Sequence, residues 1–246
     1  MNAAIFKNEL KANRRFAIIW TVVLVLTIGV NIGSGVSDSE DGPPLDIINA
    51  FARSVTSTVL MGGIFAMILG GMVISQEEDE KTIEFLLGHP VTRIELATSK
   101  FLAFTLLVGL FSVVLLAADF VFFEIFTSTA DYDLGAMLGI WVSEMVLVYL
   151  FGCTGLFVSA FVTKGGGIVG IGIGLPIITA ILEQLAYIDN SPLSLLSYLS
   201  PYRYLDTAGI ISRGGAKPLF VIIFVMITVA FVIATFTVYR KRQFAV

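Results

Sequence analysis

Histidine and cysteine are almost missing from this chain of 246 residues, which has one of each, His89 and Cys153. A lone cysteine excludes an internal disulfide, and one histidine beside it leaves no His/Cys set for a metal cluster. A nucleophilic triad would have to use His89, which lies in a polar break between helices, and zinc hydrolases need more than one histidine. No G-x-x-x-x-G-K-[ST] phosphate loop occurs, and the Lys164-Gly165-Gly166-Gly167 stretch lacks the required order. Charge is scarce as well, at 14% of residues, against about 25% in a soluble domain. The deficit sits in long uncharged runs, which is the pattern of a membrane protein. An intramembrane enzyme is the reading these absences leave weakest.

What the chain does have is apolar sequence, 57% of its residues. Six runs stand out, at 16–33, 55–74, 101–123, 135–162, 166–186 and 218–239. Each approaches or exceeds the ~20 residues that cross a hydrocarbon core as a helix. The expected fold is therefore all-α and integral to the membrane, one transmembrane domain over residues 1–246. The first run reads as a span and not as a cleavable signal, because no small-x-small site follows it. Charge placement sets the orientation. With the N-terminus inside, Arg53, Arg203, Arg213 and Lys217 are the outer members of the fifteen Lys and Arg, and the others face inward. Both termini and the polar stretch 76–100 are then cytoplasmic, and the site of residence is the cytoplasmic membrane.

The order of the polar stretch 76–100 is informative. Glu77, Glu78, Asp79 and Glu80 crowd a helical turn, where acids favour the positive end of the helix dipole. Ile83, Leu86 and Leu87 follow at i, i+3, i+4 and share one face. Gly88-His89-Pro90 ends that helix. Thr92-Arg93-Ile94-Glu95 matches a capping box that starts the next one. The prediction is a helix–break–helix elbow, suited to a docking surface or to an ordinary solvated loop. His89 reads as a loop residue in the break.

Other segments carry weaker signals. Residues 1–15 read as a short amphipathic helix in the interface plane, or as a merely basic flank. Gly166, Gly170 and Gly174 repeat at i+4 in the fifth span, a close-packing face used within the chain or by a second copy. Pro176 is placed to kink that span. Residues 187–217 alternate apolar and aromatic side chains, which predicts interfacial or re-entrant helices at the outer end, with a helical turn at 206–212 closed by Gly214-Gly215. Three acids fall in or beside spans and are possible pathway residues by default: Asp119, Glu144 and Glu183. Asp119 lies roughly 28 Å past Lys100 at helical rise, so it is expected near the outer rim. Glu144 is buried or interfacial depending on where the fourth span begins, and Glu183 lies near the outer end of the fifth.

The stretch Glu78-Asp79-Glu80-Lys81-Thr82-Ile83-Glu84-Phe85-Leu86-Leu87-Gly88-His89-Pro90-Val91-Thr92-Arg93 resembles the segment after the second span of ABC-2 permeases, the membrane-spanning subunits of ABC exporters. Lys81 stands where that family often has glycine. Leu199-Ser200-Pro201-Tyr202-Arg203-Tyr204-Leu205-Asp206 is similar to the family's Ser-Pro-aromatic segment, and the basic C-terminal tail also fits. The resemblance covers nearly the whole chain. It implies a separate ATPase subunit that binds ATP and Mg, with no cofactor in this chain, and a second permease copy, identical or related. It implies that the elbow is a coupling helix, with Glu84, Leu86, Leu87, Gly88, Pro90 and Arg93 on the ATPase. It also implies that residues 1–15 are a connecting helix, that spans one and five meet the second copy, and that the outer helices gate the path. The expected activity is export of an amphipathic or lipophilic substrate, such as a peptide, toxin or drug. A secondary transporter or channel acting without an ATPase is the alternative. Membrane lipid is an expected partner and nucleic acid is not.

Overall fold

The computed structural model describes residues 2–37, 47–79, 92–127, 134–162, 165–185 and 192–241. The regular elements among them are all helical: α1 (Ala3–Ser37), α2 (Ile47–Asp79), α3 (Arg93–Thr127), α4 (Leu134–Ser159), α5 (Gly165–Gln184), two 3₁₀ segments (Pro192–Leu199 and Pro201–Tyr204), α6 (Thr207–Arg213) and α7 (Pro218–Lys241). Six of these helices, α1 to α5 and α7, are long and apolar enough to cross a membrane. The six apolar runs each fall on one of them.

The helices outrun the apolar cores of the spans. α1 is one uninterrupted helix, so residues 3–15 continue the first span instead of forming a separate interfacial helix. No glycine or proline interrupts residues 3–28, and helix propagation needs only one further hydrogen bond per residue added. α2 begins at Ile47, as the expected lead into the second span. α5 runs through Pro176 without a break in helical assignment.

Side-chain pairs fix how the helices run. Lys100 of α3 meets Glu9 of α1 and the Val73 carbonyl of α2. At the other end Asn31 of α1 donates to Ser57 of α2, and Ser54 of α2 donates to Asp119 of α3. Trp141 and Tyr149 of α4 pair with Ser112 and Thr105 of α3, so α4 runs against α3. Phe101 and Phe157 contact Phe236 and Phe231, which puts the C-terminal end of α7 at the Lys100 end. The start of α1, the end of α2, the start of α3 and the end of α7 therefore share one end of the bundle, here the proximal end. α6 and the start of α7 lie at the distal end.

α2 is the central helix and packs on α1, α3, α4 and α5. Lipid tails are as apolar as leucine, so burial gives helices no hydrophobic drive to associate, and close van der Waals fit must do it. Glycine supplies that fit at the α2–α4 crossing. A Cβ on Gly70 would run into the Gly152 carbonyl, and one on Gly155 into the Met67 carbonyl. Gly71 and Gly172 serve α5 in the same way, against Ile168 and Ile68. Around this crossing Phe65 packs on Phe16 and Phe111, with ring centroids 5.6 and 4.4 Å apart.

Candidate functional site

Three polar features stand out in an otherwise apolar bundle. The first is at the proximal end. Thr92 and Glu95 form the expected capping box: the Glu95 amide donates to Thr92 Oγ1 at 3.3 Å, and Glu95 Oε2 accepts from the Thr92 amide at 3.1 Å. α3 thus starts where the sequence signals it, with Arg93 as its first residue. Glu84, Leu86, Leu87, Gly88 and Pro90, the remaining residues of the expected ATPase contact, lie outside the described residues, as does His89.

Two turns into α3, Lys100 is 1% exposed. Its Nζ donates to Glu9 Oε1 at 2.8 Å and to the Val73 carbonyl at 2.7 Å. Asn13 donates to the Glu9 carbonyl and side chain, and the Asn2 amide donates to Ser99 Oγ. A buried ion pair survives when added hydrogen bonds satisfy both partners, as they do here. This node joins α1, the outgoing end of α2 and the incoming end of α3, on either side of residues 80–91. In the sequence Lys100 is one of the inward-facing charges, with no partner marked by local spacing. An acid at Glu9 within a basic flank was the one available sign of a partner.

The second feature is an acid turned inward: Asp119 lies toward the distal end, at the depth along α3 that its spacing from Lys100 gives, and is 2% exposed. It accepts from Ser54 Oγ at 3.2 Å. Glu144 is buried too, within hydrogen-bond reach of Thr58 and close enough to Asp119 for their charges to interact. Ser54 and Thr58 sit one turn apart on α2 and face the two acids from one side. The helical-rise argument gave the depth of Asp119 along α3 but not its direction, which α2 determines. Glu183 does not join this group; it is half-buried and accepts from its neighbour Gln184.

The third feature is the aromatic segment 192–204. Tyr202 is buried, its ring 5.3 Å from Phe151, and its hydroxyl lies against Gly63. Gly63 is about 13 Å further along α2 than Ser54 at helical rise. The segment therefore enters the bundle from the distal end, as the re-entrant option for this region expected. Serine and proline make this local geometry. Ser200 caps the second 3₁₀ segment by accepting from the Tyr202 amide, and Pro201 fixes its first turn. Among the described residues the Tyr202 hydroxyl has no hydrogen-bond partner. Asp206 then caps α6, and Gly214 closes it at φ 69°, in the left-handed region.

Among the described residues the glycine repeat of the fifth span brings no other helix close. A Cβ on Gly166, Gly170 or Gly174 would meet no atom within 4 Å. The glycines at the α2 crossings are instead Gly70, Gly71, Gly152, Gly155 and Gly172, whose use depends on which helix lies opposite.

Among the described residues no group of three or more His, Cys, Asp or Glu is placed to hold a metal ion. No curated protein matches the chain. The family model described as ABC-2 family transporter protein matches residues 3–244. With that match on a helical bundle carrying six membrane-crossing helices, the chain belongs to the ABC-2 transporter family and is a multi-pass membrane protein.

Proposed function

We propose that this chain is the permease subunit of an ATP-binding-cassette exporter in the cytoplasmic membrane, driven by ATP hydrolysis in a separate ATPase subunit. Family membership supports a membrane-spanning transport subunit of the ABC type, associated with ABC ATPases. The observation that carries the finer reading is the meeting of Val73, Lys100 and Glu9 at the proximal end. It brings the end of α2 and the start of α3, on either side of residues 80–91 in the sequence, together at one end of the bundle. Force applied there would reach α1, α2 and α3 at once. Glu84, Leu86, Leu87, Gly88, Pro90 and Arg93 form the ATPase contact in this proposal, with Leu86 and Leu87 as apolar anchors. The cargo is amphipathic or lipophilic, because polar residues in the bundle are too few to strip a sugar or nucleotide of its water.

The test is removal of residues 81–93, followed by affinity purification of the permease from its native membrane and detection of a co-purifying ABC ATPase. Loss of co-purification, with the permease still in the membrane, is the expected result. Retained binding with full coupling of ATP hydrolysis to transport would sink the assignment.

The buried Asp119–Glu144 neighbours favour one other reading, an ion-coupled carrier that needs no ATPase, since intramembrane acids mark ion paths by default. Transport by the purified chain alone in vesicles under a proton or sodium gradient would establish it in place of the exporter.

A further inference from the structure

A groove runs down the distal half of the bundle between α4, the 3₁₀ segments and α7. Its deeper part has a volume of about 470 Å³ and is lined by Leu150, Tyr198, Pro201, Tyr204, Phe224 and Ile227, among others. That volume is within the roughly 300–1,000 Å³ typical of sites for small molecules. Above it is a second hollow lined by Ser143, Asp206, Arg213 and Lys217, and Tyr204, Phe220 and Phe224 line both. Tyr204 stands at the join, its ring 5.0 Å from that of Phe220 and 5.5 Å from that of Phe224. Its hydroxyl is held by the Tyr198 carbonyl at 3.1 Å.

The order of these residues along the helices gives the groove a polarity. On α4, Ser143 precedes Leu150; Lys217, just before α7, and Phe220 on it precede Phe224 and Ile227. Both helices run from the distal end inward. The charged hollow is thus at the membrane surface, and the apolar part descends about 15 Å along α7 from Lys217 to Ile227. The charge at the mouth is unbalanced. Among the described residues a single carboxylate, Asp206, faces both Arg213 at 3.4 Å and Lys217 at 3.3 Å. Arginine has five N–H donors and an ammonium three, and Asp206 Oδ2 takes two from Arg213 and one from Lys217. Both cations remain partly exposed. A net positive mouth over an aromatic and aliphatic trough complements an acyl chain with an anionic head.

We propose that this groove binds an anionic phospholipid of the distal leaflet, its phosphate on Arg213 and Lys217 and an acyl chain along Tyr204, Phe224 and Ile227. A soluble anion would use the mouth and leave the trough empty. A second copy packed symmetrically on this face would set its positive rim against the same rim. The lipid is a bound component of the permease whether or not lipids are also its cargo, so the proposal is independent of the exporter reading.

Native mass spectrometry of the detergent-purified chain tests it, with phosphatidylglycerol or phosphatidylcholine added at matched chain length. The wild type retains phosphatidylglycerol preferentially, and excess inorganic phosphate does not displace it. R213Q/K217Q lowers phosphatidylglycerol retention about tenfold or more and leaves phosphatidylcholine unchanged. I227W fills the trough and displaces the lipid with both cations intact. K7Q/K11Q, at the other end of the bundle, changes nothing. Thermal unfolding of each variant confirms that it is folded, and the trough-filling variant decides the matter should the double variant fail to fold. Equal retention of the two lipids by the wild type would overturn the proposal. So would undiminished phosphatidylglycerol binding by I227W, displacement by free phosphate, or oxidative cross-linking of I223C between two copies, which would place a second chain on this face.

Discussion

At the scale of residues, the polar atoms of the interior make the sharpest demands. Burying a hydroxyl without a partner costs about 1–3 kcal/mol, and Tyr202 bears that cost in this conformation. Phenylalanine keeps the ring on Phe151 and removes the penalty. Tyr202→Phe is therefore expected to raise the unfolding temperature in detergent; a lower one would mean that the hydroxyl is satisfied in solution. The Lys100–Glu9 pair predicts the opposite sign. Lys100→Met leaves the Glu9 carboxylate buried without its cation, and breaking such a pair costs about 3–5 kcal/mol. Adding Glu9→Gln removes the stranded charge, so the double variant should recover much of that loss. A double-mutant cycle read by thermal unfolding checks both statements, since additive losses would show that the two residues do not interact.

At the scale of elements, two local devices have separate consequences. The first is the cap of α6. Partial burial pushes the Asp206 carboxyl up, but the Gly209 amide, Lys217 and Arg213 outweigh it and hold it below the ordinary aspartate range. A carboxyl lowered on folding stabilises the native state above its unfolded value, near pH ~3.9, and loses that contribution as pH falls through the folded value. Amide exchange in α6, corrected for intrinsic rates, should therefore accelerate as the solution is acidified below about pH 4. Asp206→Asn keeps a capping oxygen but has no charge to lose, and should show no such step. The second device is the glycine crossing of α2 and α4. Gly155→Leu forces a side chain into the Met67 carbonyl, and overpacking of this kind costs ~1–3 kcal/mol or more.

The same elements show what was legible in the sequence. The span count, the Thr92–Glu95 box, the Asp206–Gly214 turn and the dipping aromatic segment each depend on neighbours in the chain, and local chemistry specifies them. Asp119, Lys100 and Gly152 depend on which helix lies opposite. Ser54 faces Asp119 across 65 positions and Glu9 faces Lys100 across 91, and no periodicity connects them. The polarity of the N-terminal flank was legible, but its continuity with the first span was not. Amphipathicity reports a face, and only the absence of a breaker reports that a helix goes on.

At the scale of the whole molecule, the question is what covers the helices that this chain leaves bare. α2 is deeply enclosed, whereas α1, α5 and α7 present most of their apolar surface outward. Lipid satisfies such surface without any special feature. The open stripe of Gly166, Gly170 and Gly174 on α5 is different, because glycine spacing lets another backbone approach closely and no helix among the described residues does so. Gly170→Leu places its new side chain in open space, so the stability of the single chain should change by no more than about 0.5 kcal/mol. Two copies meeting through that stripe could no longer close together, and self-association in bilayers, counted by single-molecule photobleaching, should fall. Gly155→Leu gives the reverse pattern: the single chain is destabilised because its own α2 is the neighbour. Loss of single-chain stability in Gly170→Leu would instead mean that α5 packs through this stripe within its own chain. Equal self-association of wild type and Gly170→Leu would leave the stripe facing lipid and move the permease–permease contact to α1.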